Sequence, residues 1–132
     1  MALLEAKNLT VIRKKGILPD IPFLNMKDTL LGKNYTATII FCTPDESKHL
    51  NKTYREKDYP TNILSFPLDE ANGEIYISLS TARHDAKKFE MSYLKFLHLL
   101  MVHGMLHLKG HDHGSTMEEL EQKYIKKFFR GE

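Results

Sequence analysis

The patterning of this chain predicts an α+β fold, a small mixed β-sheet of about four strands packed with about five helices, carrying a metal site on a central helix. Three observations lead there. Apolar and polar runs alternate in the order strand, helix, strand, helix, two strands, then helices. The segment from Tyr93 to about Lys109 is apolar nearly all round, as a helix in the middle of a domain must be. That same helix carries histidines one turn apart, His103 and His107. The 132 residues read as a single domain, 1–132, long enough to bury a real core.

Each element has a local reason. Leu9 to Ile12 is a short apolar stretch and reads as a strand. Pro19, Asp20 and Pro22 mark a turn, and Phe23 to Leu31 reads as a short helix closed by Gly32. Tyr35 to Cys42 is rich in Thr, Ile, Tyr and Phe, which suits a strand. Thr43-Pro44-Asp45-Glu46 then starts a helix running to about Glu56, with Thr43 as cap, Pro44 at the first helical position and Glu46 completing a capping box. Asn62 to Pro67 and Glu74 to Leu79 read as two strands joined by a turn around Asn72-Gly73. Ser80 to Phe89 reads as a helix with a polar face. Ser92 caps the long apolar helix and Gly110 ends it. Ser115-Thr116-Met117-Glu118 reads as a second capping box, opening a last helix to about Phe129 whose basic end (Lys126, Lys127, Arg130) complements its negative pole.

Composition excludes more than it selects. The chain is 42% hydrophobic and 27% charged, and it has no run of about 18 apolar residues to span a membrane. Met1 to Thr10 lacks the layout of a signal peptide. The one cysteine, Cys42, lies in the apolar run Ile39-Ile40-Phe41-Cys42 and reads as a buried structural thiol, so a reducing, cytoplasmic setting is expected. A net charge of +2 permits a polyanionic partner without demanding one. No stacked aromatic platform for RNA stands out; the tyrosines and phenylalanines read as core and edge residues.

The chemistry concentrates in His103-Gly104-Met105-Leu106-His107-Leu108-Lys109-Gly110-His111-Asp112-His113. Imidazoles four residues apart on a helix share a face and reach one ion. A left-handed Gly110 would stop the helix and bring His113 round as a third ligand. The pattern H-x-x-x-H-x-x-G-x-x-H has the ligand spacing of the metzincin zinc enzymes, except that Gly104 stands where they place a glutamate base. Imidazole ligands suit zinc, copper, nickel or iron, and availability favours zinc; three of them leave an open position, hence metal-assisted hydrolysis, since a structural zinc normally has four protein ligands. Cys42, Asp112 or His111 could supply a fourth. Asp112 reads better as a group orienting an imidazole and His111 as an exposed neighbour. A zinc with three neutral ligands attracts phosphate oxygens.

A second segment, Tyr54-Arg55-x-Lys57-Asp58-Tyr59-Pro60-Thr61-Asn62-x-Leu64-Ser65-Phe66-Pro67, stands out, with Gly73-Glu74-Ile75-Tyr76-Ile77-Ser78 after it. Together with His103 to His113 these segments closely resemble the YbeY family, bacterial zinc-dependent endoribonucleases of ribosomal RNA maturation. The likeness runs from about Leu50 to Phe129, and residues 1 to 40 add little. His111 replaces a usual tyrosine, and Glu74 a more frequent aspartate. The resemblance implies His103, His107 and His113 as zinc ligands and Arg55 as the arginine that acts in the cleft. It also implies cleavage of single-strand-type RNA at the 3′ end of small-subunit (16S) ribosomal RNA, a part in ribosome biogenesis and quality control, and a small-subunit ribosomal protein as a possible partner. Neither DNA nor membrane is expected. Two other readings stand beside this one: a metallopeptidase of metzincin-like geometry, and a ribosome assembly factor whose zinc is structural.

Overall fold

In the computed structural model, which describes residues 2–129, the elements follow in the order β1 (Ala2–Ala6), β2 (Leu9–Arg13), α1 (Phe23–Leu30), β3 (Thr36–Cys42), α2 (Pro44–Arg55), β4 (Ile63–Asp69), β5 (Asn72–Ser78), α3 (Leu79–Lys88), α4 (Tyr93–Leu108) and α5 (Ser115–Phe128). The expected α+β class and mixed sheet are present. The sheet has five strands in the order β1-β2-β3-β5-β4. The strand beyond the four marked by patterning is β1, whose sequence Ala-Leu-Leu-Glu-Ala carries no β-branched residue. It gains its conformation by pairing antiparallel with β2.

β3 lies in the middle, parallel to both β2 and β5, and β4 closes the far edge antiparallel to β5. Ala37, Ile39, Phe41, Ile75 and Ile77 are fully buried and join Leu97, Met101 and Met105 of α4 in one core. The apolar surround of α4 is thus explained: it packs on the sheet and touches α1, α3 and α5. Residue alternation sends Ile63 and Ser65 of β4 towards α4, and Leu64 and Phe66 to the opposite face, where α2 lies.

Several local expectations shift. β4 and β5 meet through a tight turn at Glu70 and Ala71, while Asn72 and Gly73 already belong to β5 and pair with Asp69 and Pro67. Asp69 stabilises that turn by accepting from the Ala71 amide at 2.8 Å and the Asn72 side chain. The Thr43 cap forms, accepting from the Glu46 amide at 3.1 Å, but the Glu46 carboxylate binds Lys14 at 2.8 Å instead of closing the box. Ser92 caps α4 through the Lys95 amide. The second capping box does not form: Ser115 is already helical, Gly114 holds the cap position, and no side chain bonds there. Lys126 and Lys127 do occupy the last turn of α5, whereas Arg130 lies outside the described residues.

Candidate metal centre

His103 and His107 project from the last two turns of α4, and the chain then reverses sharply. Gly110 adopts φ +104°, its amide donates to the His107 carbonyl at 3.0 Å, and the His111 amide donates to the Leu106 carbonyl at 3.0 Å. This is a Schellman closure, which requires a left-handed residue at that point. It carries His113 back over the helix end. The three rings gather around one point, with centroids 4.6 Å (His103–His107), 4.9 Å (His103–His113) and 5.0 Å (His107–His113) apart.

The donor set fits a divalent ion. One nitrogen from each ring lies within 4.8 Å of the others, and the Nε2 atoms of His103 and His107 face each other at 3.1 Å. Nitrogens on a tetrahedral zinc, each about 2.0–2.1 Å from the metal, sit roughly 3.3–3.4 Å apart. The Nδ1 of His103 contacts Glu121 Oε2 of α5 at 2.5 Å. A carboxylate only accepts, so Nδ1 carries the proton and Nε2 keeps its lone pair for the centre. His107 sits below the ordinary imidazole pKa, mainly because burial penalises its charged form and next because His103 and His113 are beside it. The neutral ring is the ligating form.

Among the described residues, Cys42, Asp112 and His111 are not part of this cluster. Cys42 is buried, as its sequence context suggested. Asp112 is exposed and acts on His107 only through its charge. The carboxylate that orients an imidazole is Glu121, which the sequence reading did not single out. Its signal was available: Met117, Glu121 and Ile125 are spaced by four on α5, so an acid interrupts an inward-facing stripe.

Gly104, in the place of the metzincin glutamate, presses on the sheet. A Cβ there would meet Ile63 Cδ1 at 2.8 Å, Ser65 Oγ at 3.1 Å and Ile75 Cδ1 at 3.3 Å, and the Ser65 hydroxyl donates to the Gly104 carbonyl at 3.2 Å. At this approach any side chain at 104 must displace the ends of Ile63 and Ser65, and a large one has no room.

Arg55 ends α2 and is exposed, and it lines the same cleft as the three histidines. The cleft has a volume of about 760 Å³ and takes in consecutive residues from Thr61 to Pro67. Residues from both faces of β4 line it, so it runs along that strand's unpaired edge. The loop before β4 is tied to α2. Ser47 Oγ donates to the Thr61 carbonyl and accepts from the Thr61 amide, and the Asn51 side chain donates to the Tyr59 carbonyl at 2.9 Å. Both anchors are buried, which holds Arg55 and β4 in a fixed relation.

A family model described as Endoribonuclease YbeY matches residues 20–128. The chain belongs to the YbeY family. The match begins well before the motifs around Leu50, so the family likeness includes α1 and β3. An Endoribonuclease YbeY of Carboxydothermus hydrogenoformans is 45% identical over 104 residues, covering 71% of this chain and 73% of the relative. The one from Aquifex aeolicus is 41% identical over 101 residues, covering 71% and 67%. The one from Thermotoga neapolitana is 37% identical over 97 residues, covering 73% of this chain and 62% of the relative, so the match spans less than two thirds of that protein. A solution structure of a Thermotoga maritima protein superposes with a TM-score of 0.59 at 29% identity, covering 89% of this chain and 87% of that one. In this chain the three histidines cluster and Glu121 stands behind one of them.

Proposed function

We propose that this YbeY family member is a zinc-dependent endoribonuclease that works in the cytoplasm on ribosomal RNA, in 3′-end maturation of the small-subunit RNA and in ribosome quality control, with a small-subunit ribosomal protein as a partner. The observation that carries the reading is the cleft that His103, His107 and His113 share with Arg55. The likeness to relatives named Endoribonuclease YbeY supports the reaction class. No described helix is long and apolar enough to cross a membrane.

The three imidazoles would hold the ion, and Glu121 fixes the ring and tautomer of His103. A zinc bound there would supply Lewis acidity and lower the pKa of its water. Arg55 binds the phosphate through a planar fork and offsets the charge that grows on its oxygens. Water or a ribose 2′-hydroxyl adds to phosphorus and releases its proton to a base or to solvent, the P–O bond to the departing ribose oxygen breaks, and that oxygen takes a proton from solvent. The base is unassigned; of the two candidates, Asp112 and His111, Asp112 is the one that lines the cleft.

The free edge of β4 would also accept an extended peptide by strand addition, as a metallopeptidase needs. Gly104 disfavours that use, because it leaves no positioned base, a loss of about 10²–10⁴ in rate. A structural zinc in an assembly factor would call for a fourth protein ligand, and the described cluster has three.

The test is zinc-reconstituted protein incubated with a ribosomal RNA fragment. Wild type is expected to cut it, and His107→Ala and Arg55→Ala to lose most of the activity. Equal cutting by wild type and His107→Ala would mean a contaminating nuclease and would sink the reading.

A further inference from the structure

The sequence reading found no aromatic platform, but the fold builds one at the mouth of the cleft. Tyr54, on the last turn of α2, and Phe66, on edge strand β4, both line the cleft beside Arg55 and the histidines. Their rings meet at 5.1 Å and 61°, and Phe66 in turn meets Tyr76 of β5 at 5.7 Å and 77°. Such edge-to-face contacts are favourable and directional, so Phe66 and Tyr76 brace Tyr54 from behind. Tyr54 nonetheless remains 65% exposed. Phe66 holds one side of the ring, and most of the rest stays open at the cleft. Tyr54 lies twelve residues before Phe66 in the chain, with the anchored loop between them, which is why no short motif reveals the pair.

We infer that Tyr54, braced by Phe66 and Tyr76, is a stacking subsite for one unpaired nucleobase of the RNA bound in the metal cleft. Arg55, the next residue, takes the phosphate while the neighbouring ring takes the base, so one helix end reads both parts of a nucleotide. A base inside a duplex has both faces covered by its neighbours and cannot use such a ring, so the subsite selects single-stranded or splayed-out RNA. Stacking is tolerant of base identity, since every base has a π-face; the subsite selects strandedness over sequence. The inference rests on the endoribonuclease reading and names how that site chooses its substrate.

The test separates the two. Zinc-loaded wild type, Tyr54→Phe and Tyr54→Leu are titrated by fluorescence anisotropy with a fluorescein-labelled, 2′-O-methyl hexa-adenylate, whose integrity is checked afterwards on a gel. Copies carrying a single abasic position are titrated in parallel. Tyr54 is exposed, so both variants are expected to fold, and circular dichroism verifies it. Tyr54→Phe keeps the ring and is expected to bind like wild type. Tyr54→Leu keeps bulk without a π-face and is expected to bind about 5- to 150-fold more weakly, equivalent to roughly 1–3 kcal/mol of stacking. The abasic change at the stacked position is expected to weaken wild type and leave Tyr54→Leu unmoved. Equal binding by Tyr54→Leu and Tyr54→Phe, or an abasic penalty that persists in Tyr54→Leu, overturns the subsite. Failure of the nuclease reading shows elsewhere, as cleavage of unmodified RNA that His107→Ala does not abolish.

Discussion

Glu121 Oε2 of α5 lies 2.5 Å from Nδ1 of His103 on α4, so the helix after the third histidine reaches back to orient the first. Carboxylates behind metal-bound imidazoles raise ligand basicity and fix the ring, and their loss typically costs about 10- to 100-fold in metal affinity. Glu121→Ala is expected to show a loss of that size in chelator competition. Glu121→Gln should lose less, because its amide oxygen can still accept from Nδ1. Wild-type affinity in Glu121→Ala would reduce Glu121 to a packing residue.

The same relationship ties metal occupancy to helix docking. His103 and His107 belong to α4, His113 to the connection, and Glu121 to α5. An ion held by the triad therefore cross-links the end of α4 to the start of α5. Metal at 100 times its Kd stabilises the fold by about 2.7 kcal/mol, which raises Tm by on the order of 10 °C in a domain of this size. Chelation is expected to reverse this, with hydrogen exchange rising first in α5 and the 109–114 connection. Exchange that rose uniformly across the sheet would show that the ion does not hold α5.

The convergence of the three histidines was legible in the sequence because helical spacing and one glycine determine where their rings go. His103 and His107 share a face by periodicity, and Gly110 permits the reversal that returns His113. Glu121 was not legible as a partner because its role depends on how α5 docks on α4, a contact no local rule specifies. The braced Tyr54 was missed for a similar reason, since Phe66, itself backed by Tyr76, meets it only after β4 and β5 pair and α2 docks on them. β1 was missed because tertiary pairing overrode a helix-favouring composition, and the Ser115 box because Gly114 took the cap. Strand order, too, is decided by long-range pairing.

Gly104 marks a steric limit on this scaffold. Ile63, Ser65 and Ile75 occupy the space a side chain would need. Gly104→Ala gains about 1 kcal/mol of helix propensity, and the mobile tip of Ile63 can yield, so a near-neutral change in stability is expected. Gly104→Glu adds bulk and a charge against apolar atoms and should lower stability by at least about 3 kcal/mol in urea melts. It is also expected to show no peptidase activity, although it completes the metzincin pattern by type. Chelator-sensitive peptide turnover by Gly104→Glu would show that the helix can draw back from β4.

Cys42 is expected to be inert. Burial pushes its thiol up to about 11, with the nearby Glu46 carboxylate adding to the effect. The thiolate is the reactive form, and about three units below its pKa only about one thiol in a thousand is ionised. Iodoacetamide at pH 8 should leave the native protein unlabelled by mass spectrometry over a time that labels the urea-unfolded chain fully. Fast labelling of the native protein would mean that the end of β3 opens readily.

Gly110 offers a way to separate the turn from the ligands. Its φ of +104° lies where a side chain is strained, and nothing within 4 Å would otherwise obstruct a Cβ. Gly110→Ala should therefore cost about 1–2 kcal/mol of metal-free stability through backbone strain alone. If the Schellman closure is what delivers His113, the same substitution should also weaken metal binding, approaching the loss seen in His113→Ala. Gly110→Asn, which tolerates the left-handed region better, should fall between alanine and wild type on both measures. The two readouts are thermal melts in chelator and competition for zinc. A drop in the melt with unchanged zinc affinity would mean that His113 finds the centre without help from the turn.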